Sequence, residues 1–175
     1  MLKLMYITNS PEVASIADGA GVDRIFIDLE QYGKEKRQKN WDSVKSKHSI
    51  SDIPKVKAAV KNAQIFVRTD PIFDGFSDEL EGVLACEPDV VMLPYFKTVR
   101  EVETFIKAVD GRATTSLLLE TREAAEQIDD IISVSTTSPI PTAKSSSLRS
   151  WRTALWTDSL NASNPTGSRT TASAE

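Results

Sequence analysis

The sequence predicts an α/β fold built on a parallel sheet, and three observations lead to that prediction. Strand and helix patterns alternate over the first 132 residues, in five units of roughly 25 residues each. The strand segments are continuous apolar runs, which are typical of strands covered on both faces. Helix boundary signals separate the strands. Five units are fewer than the eight that close a (β/α)8 barrel, so the pattern alone leaves open a barrel-type sheet and a doubly wound sheet.

The first unit carries clear boundary signals. Residues 2–8 form a short apolar strand pattern. Ser10 is a favourable N-cap, and Pro11 suits the first helical position because its missing N–H needs no partner there. Gly21 is a typical helix stop. These signals predict a helix between the first strand and a second strand at residues 24–28.

The second and third units follow a long connection. The polar stretch at residues 31–49 is too long for an ordinary strand-to-helix loop, and loops of that length are often functional. A helix is predicted over residues 53–62 and a third strand over 64–68. Ser77 is predicted to cap the next helix, which leads to a fourth strand at residues 89–93.

The last recognisable units begin with a capping box. Thr98 and Glu101 have the required spacing, which predicts a helix that ends before Gly111. A fifth strand is predicted over residues 114–119 and a fifth helix over 121–132.

The composition changes after residue 132. The segment 133–175 contains 11 Ser and 8 Thr in 43 residues, and its net charge is +2 against −6 for residues 1–132. Such a segment buries too little apolar surface to offset the entropy of ordering. We therefore predict a partial barrel domain over 1–132 and a disordered or non-native Ser/Thr-rich tail over 133–175. A short helical stripe beginning at Leu148 is the one exception within it.

The overall composition excludes several classes of function. The chain of 175 residues has a net charge of −4, which disfavours a nucleic-acid partner. No apolar stretch has the length of a membrane helix, and the first residues lack signal-peptide anatomy, so we expect a cytoplasmic protein without membrane contact. One Cys and one His exclude a disulfide framework, a Cys-rich zinc site and a multi-histidine metal cage.

Charged residues follow most of the predicted strands. Asp28 and Glu30 end strand two, Arg68 ends strand three, and Glu120 ends strand five. Because ligands of parallel α/β folds bind at the carboxyl ends of the strands, these residues are the candidate site.

Each candidate also has a purely structural interpretation. Arg68 is equally well placed to pair with Asp28 or Glu30 across neighbouring strands, and of these two acids at most one is expected to face the site. Glu120 precedes a helix, where any acid interacts favourably with the helix dipole. The lone His48 lies in a polar loop and is interpreted as a surface residue without a catalytic role.

These motifs together resemble a known family. In order and spacing, the sequence is similar to the HpcH/HpaI aldolase and citrate lyase beta-subunit family over most of residues 1–132. The similarity rests on IFIDLE at residues 25–30, Val67-Arg68, VMLP at residues 91–94, and LLLE at residues 117–120 with the helix that follows.

The resemblance implies an incomplete (β/α)8 barrel and a metal-dependent carbon–carbon lyase that acts on a small molecule, a 2-oxo acid or an acyl-CoA. It implies that Glu120 binds Mg²⁺ or another divalent cation such as Mn²⁺. It places Arg68 on the residue that holds the substrate carboxylate or carbonyl, and Asp28 and Glu30 on the acidic catalytic motif beside the metal. A homo-oligomer is expected for the intact family.

The sequence departs from the family pattern in two respects. Gln31 stands where aldolases have His and citrate lyases have Asp, and an amide cannot act as a general base. The second metal-binding Asp belongs to a sixth strand, which the sequence pattern does not contain. The alternative hypothesis is therefore a non-catalytic barrel fragment or interaction module.

Overall fold

The computed structural model describes residues 2–31 and 47–137. Most of the Ser/Thr-rich segment, including the stripe that begins at Leu148, lies outside the described residues. So does most of the long polar connection after the second strand. The division of the chain at residue 132 therefore stays a prediction.

The described residues contain a parallel sheet of five strands. They are β1 (Met5–Ile7), β2 (Arg24–Asp28), β3 (Gln64–Arg68), β4 (Val90–Leu93) and β5 (Thr114–Leu117), all paired in parallel. Their order in the sheet is β1-β2-β3-β4-β5, the order in which they occur in the chain. A doubly wound sheet reverses direction at a switch point, and this sheet does not. The α/β prediction is confirmed, and the order is that of an incomplete (β/α)8 barrel.

At least one helix follows each strand in the described residues. The helices are α1 (Pro11–Gly19), α2 (Asp52–Ala59), α3 (Phe76–Leu84), α4 (Val99–Val109), α5 (Arg122–Ala125) and α6 (Ile128–Thr137). Because right-handed crossovers that all advance in one direction place their helices on one side, the helices cover one face of the sheet. Within the described ranges, no helix combines the length and apolarity needed to cross a membrane.

The sheet has two different faces. The face under the helices carries the main core, in which the strand residues are Ile25, Ile27, Ile65, Val67, Val91 and Leu93. The opposite face, called here the inner face, carries a smaller apolar cluster of Phe26, Phe66 and Val90, with Met92 packed against it. Apolar residues on both faces explain why the strands are continuous apolar runs in the sequence.

Two predicted helix starts are confirmed in detail. The Ser10 hydroxyl accepts a hydrogen bond from the N–H of Val13 at 3.4 Å, and Pro11 is the first helical residue. Thr98 and Glu101 form the reciprocal capping box, with each side chain bonded to the backbone of the other. Local hydrogen-bonding chemistry alone determines both starts, which is why the sequence was sufficient to locate them.

Two other helix predictions are wrong in position. α3 begins at Phe76, so Ser77 lies inside the helix; Gly75 is the N-cap, in the left-handed region at φ +110°. A Cβ on Gly75 would also lie 3.3 Å from the Phe73 ring, which further favours glycine there. The helix predicted over residues 121–132 is two helices, α5 and α6, and the second continues to Thr137.

Candidate active site

The sheet register brings Asp28 and Arg68 together. They are partners at the carboxyl ends of β2 and β3, and their side chains lie on the inner face. The Arg68 guanidinium donates from Nε to Asp28 Oδ1 at 2.9 Å and from Nη2 to Oδ2 at 2.8 Å. Two parallel bonds of this kind fix both the position and the orientation of the guanidinium plane.

Glu30 joins the same arginine. Its Oε2 lies 3.2 Å from Arg68 Nη1, and the residue is only 5% exposed. The expectation that at most one of Asp28 and Glu30 faces the site is wrong, because residues two apart in an extended chain lie on the same side. The structural interpretation of Arg68 as a partner of these acids is confirmed, and we call the three residues the arginine clamp.

The clamp rests on aromatic rings. Phe26 and Phe66 lie two residues before Asp28 and Arg68, and their rings stack with centroids 5.1 Å apart. The Arg68 guanidinium lies 5.7 Å from the centre of the Phe26 ring, a favourable distance for a cation. At the other end of the same strands, Arg24 Nε donates to Gln64 Oε1 at 3.2 Å. The inner face is thus layered, with an aromatic floor of Phe26 and Phe66 beneath the clamp.

Electrostatics keep Arg68 charged. Burial opposes its charge, but the hydrogen bonds and charge of Asp28, followed by the charges of Glu30 and Glu120, raise the pKa of Arg68. The three acids and one arginine carry a formal charge of −2. The candidate site is therefore electronegative even with its arginine in place.

Glu120 lies at the exposed rim of the same strand ends. Its Oε1 accepts a hydrogen bond from the backbone N–H of Tyr95 at 2.9 Å, which links the loops after β4 and β5. Thr121, rather than Glu120, caps α5: its hydroxyl accepts from Ala124 N at 3.2 Å. The carboxylate is therefore directed to the neighbouring loop and not to the start of the helix.

The sequence of the chain matches a family model over residues 3–143, described as HpcH/HpaI aldolase/citrate lyase. The chain belongs to this family. The resemblance inferred from its strand-end motifs is confirmed. No curated protein sequence matches the chain.

Solved structures show the same fold. The chain is similar to an HpcH/HpaI aldolase from Desulfitobacterium hafniense DCB-2, with 13% identity and a TM-score of 0.54 over 75% of this chain and 58% of that one. An HpcH/HpaI aldolase/citrate lyase family protein from Burkholderia cenocepacia J2315 is 12% identical, with a TM-score of 0.58 over 75% of this chain and 59% of that one. The citrate synthase SbnG is 14% identical, with a TM-score of 0.55 over 74% of this chain and 56% of that one. The chain thus spans less than three-fifths of each relative's length.

His48 is buried in this family member, contrary to the surface position expected. It is 3% exposed, and its Nδ1 accepts a hydrogen bond from the backbone N–H of Asp28 at 2.9 Å. Gln31 Nε2 in turn donates to the His48 carbonyl at 3.5 Å. Nothing in the polar sequence around His48 signals burial, because the contact is with Asp28, twenty residues earlier in the chain.

A second pair of acids adjoins the clamp: Asp70 follows β3, and Glu79, which the sequence did not single out, lies in α3. The backbone N–H of Gln31 donates to Asp70 Oδ1 at 2.6 Å, and that of Asp70 donates to Glu79 Oε1 at 3.1 Å. Burial, with the Asp70 charge, raises the pKa of Glu79 to about 7 despite the opposing hydrogen bond from Asp70. Within the described part of the chain, Glu79 Oε2 is buried without a hydrogen-bond partner.

Proposed function

We propose that the chain carries the substrate-binding half of a metal-dependent carbon–carbon lyase site for a 2-oxo acid or an acyl-CoA. The observation that carries the proposal is the arginine clamp at the carboxyl ends of parallel strands, in a member of the aldolase/citrate lyase family. An arginine oriented by two acids can present its remaining N–H groups to a substrate oxygen.

Arg68 is the proposed substrate-binding and catalytic residue. Asp28 and Glu30 engage Nε, Nη2 and one side of Nη1, which leaves N–H bonds on both terminal nitrogens to hold a carboxylate or thioester carbonyl. A fixed guanidinium stabilises negative charge on the substrate oxygen without reorganising when the bond breaks. Asp28 and Glu30 act in this proposal by orienting that guanidinium.

The described residues fit a water-rich Mg²⁺ or Mn²⁺ ion rather than a cage of protein ligands. In the described ranges, no group of three or more His, Cys, Asp or Glu side chains has metal-binding geometry. Mg²⁺ commonly takes only one or two carboxylates and keeps several waters, and the formal charge of −2 around the clamp favours a divalent cation. Glu120 is the residue proposed to hold it. Such an ion would withdraw electron density from the substrate carbonyl.

The general base is not Gln31, because an amide has no proton affinity at neutral pH. His48 is a poor candidate too, since its acceptor nitrogen is bonded to Asp28. The proposal therefore concerns substrate binding and charge stabilisation by Arg68 and Glu120.

The direct test is cleavage of 4-hydroxy-2-oxo acids by the purified chain with and without Mg²⁺. We expect Mg²⁺-dependent cleavage that falls about 100-fold in Glu120→Ala, the size of loss expected when one charge-stabilising group is removed. Glu123→Ala is the matched control, because Glu123 is a nearby exposed acid that pairs weakly with Lys97 at 3.9 Å. Equal rates for wild type and Glu120→Ala would remove Glu120 from the mechanism.

The second candidate function is a non-catalytic barrel fragment or interaction module. The observation that favours it is the exposed apolar surface at β1 and the residues just before it, where Ile7 is 60% and Leu2 is 83% exposed. Absence of cleavage at any Mg²⁺ concentration, together with rapid proteolysis of residues 1–132, would support this candidate over the enzyme.

Location and assembly also belong to the proposal. A cytoplasmic homo-oligomer that binds a small molecule, without nucleic-acid or membrane partners, is what membership of this family and the net charge of −4 favour. Sedimentation of the full chain at several concentrations measures the assembly directly.

A further inference from the structure

The backbone N–H of Asp28 faces the side of the sheet where β1 stops. In β2 the N–H groups of even-numbered residues point toward β1, as the bond from Arg24 N to Leu4 O at 3.1 Å illustrates. The pairing of β1 with β2 ends at Ile7 and Phe26, and Thr8 N donates to Phe26 O at 3.2 Å as the last backbone bond. Asp28 therefore lies one step beyond the ladder, where its N–H needs an acceptor from elsewhere.

The imidazole of His48 supplies that acceptor. Its Nδ1 lies 2.9 Å from Asp28 N, so the ring takes the place that a β1 carbonyl would have in a longer ladder. Because a backbone N–H can only donate, Nδ1 must be the unprotonated nitrogen, and the proton of the neutral ring is on Nε2.

The segment that carries His48 is fixed on both sides. Asn9 Nδ2 donates to the Lys47 carbonyl at 3.3 Å and to Asp52 Oδ2 at 3.2 Å. Ser49 N donates to the same Asp52 oxygen at 3.0 Å. The backbone on either side of His48 is thus bonded to the β1–α1 loop and to the start of α2, and the residue is 3% exposed.

We propose that His48 is a positioning residue of the candidate site, which fixes the end of β2 so that the Asp28 carboxylate meets Arg68 with both oxygens. This inference rests on the proposed function for its consequence, the orientation of Arg68 toward substrate. The hydrogen bond itself is independent of catalysis. His48 acts through Asp28 and does not touch the reacting atoms.

The wild-type chain offers a direct test, because it contains one histidine and its labelled ring therefore gives one imidazole spectrum. In the full chain labelled with ¹⁵N, long-range proton–nitrogen correlation should show Nδ1 unprotonated and Nε2 protonated. A scalar coupling between Asp28 N and His48 Nδ1 should be observed across the hydrogen bond. A proton on Nδ1, or the absence of that coupling, would overturn the assignment.

Two substitutions separate positioning from packing. His48→Asn places an amide oxygen at the position of Nδ1 and should preserve the bond, whereas His48→Leu fills the space without an acceptor. We expect the Asp28 amide to exchange about three- to tenfold faster in His48→Leu and to remain near wild type in His48→Asn. The Arg68 Nε–H resonance should move in the leucine variant and return in the asparagine variant.

Ile53→Val is the control for general loss of stability, because Ile53 is fully buried in α2 and its truncation leaves the Asp28 bond intact. An Arg68 Nε–H resonance that moves equally in Ile53→Val and His48→Leu would overturn the positioning role. If the coupling is present but the chain cleaves no substrate at any Mg²⁺ concentration, the proposed function fails while the role of His48 stands.

Discussion

At the scale of single residues, the arginine clamp combines two things that a lysine cannot provide. The guanidinium of Arg68 spans both oxygens of Asp28 and still reaches Glu30. A lysine carries the charge but has no planar fork. The specificity of the clamp is therefore geometric as much as electrostatic.

Arg68→Lys should lower the free energy of unfolding by about 1 to 2 kcal/mol, because the charge-assisted fork is lost while one charge pair remains. Arg24→Lys is the matched control on the same face, since Arg24 bonds the neutral Gln64 through a single nitrogen. Urea denaturation of both variants measures the difference. A larger loss for Arg24→Lys than for Arg68→Lys would contradict the importance assigned to the clamp.

The raised pKa of Glu79 should make the free energy of unfolding depend on pH. Its folded pKa of about 7 lies above the ordinary 4.5, so the unfolded chain ionises first and stability contributed by the neutral acid is lost as the pH rises from 4.5 to 7. Glu79→Gln keeps an oxygen for the Asp70 N–H and removes the titration. It should stabilise the chain at pH 7.5 by about 1 to 2 kcal/mol, a value reduced because the side chain is partly exposed.

The measurement is the urea midpoint of wild type and Glu79→Gln at pH 4.5 and pH 7.5. The two proteins should differ little at the lower pH and diverge at the higher one. An equal difference at both pH values would show that the substitution acts through packing and not through ionisation.

At the scale of elements, α1 determines how the chain enters β3. Asp18, near the end of α1, accepts hydrogen bonds from the backbone N–H groups of Lys61, Asn62 and Ala63 at 2.9, 3.0 and 2.6 Å. The hydrogen bonds donated by Lys61, Ala63 and Asn62 lower the pKa of Asp18 despite the opposing effect of burial. One carboxylate therefore satisfies three donors of the turn before β3.

Asp18→Asn should destabilise the chain at neutral pH, because an amide accepts these bonds more weakly than a carboxylate. Since the folded pKa is lowered, the contribution of Asp18 is present above 3.8 and is lost as the pH falls through the folded value. In thermal denaturation, the melting temperature of Asp18→Asn should lie below that of wild type at neutral pH, and the difference should disappear in acid. Asp74→Asn, an exposed site before α3, is the control and should show no such difference.

The boundaries of the strands and helices show which features could be predicted from the sequence and which could not. The bounds of β2 and β3 are those predicted, because apolar runs bounded by polar residues define a buried strand locally. The start of α3 was missed because Gly75 caps it by backbone conformation rather than by a side chain. His48 was misplaced for a different reason: its burial depends on a contact with Asp28, twenty residues earlier in the chain.

At the scale of the whole molecule, the sequential strand order separated two folds that the pattern of units could not. Alternation of strands and helices is the same in a barrel and in a doubly wound sheet; only the order in which the strands pair distinguishes them. The site follows from the same pairing. The sequence identified Asp28 and Arg68 because each lies at the end of a predicted strand. That the two residues lie side by side depends on the register of β2 with β3, which the sequence does not show.

The strands should differ in protection against hydrogen exchange. Within the described residues, β2, β3 and β4 are each paired on both sides, whereas β1 and β5 are paired on one. We expect the slowest amides in the three central strands and faster exchange in β1, whose residues are all exposed. Amide exchange followed by mass spectrometry measures this gradient, and uniform protection across all five strands would show that β1 is covered in solution.

The aromatic floor beneath the clamp has a consequence for ionic strength. Salt bridges in water, such as Arg112 with Glu81, weaken as dissolved ions screen them over about 10 Å at 0.1 M salt. The Arg68–Asp28 pair is less exposed, at 20% and 19% of its side chains, and the Phe26 ring packs against one side of the guanidinium. Because partly buried pairs are screened less, the attraction that orients Arg68 should weaken less with added salt than the attraction between Arg112 and Glu81.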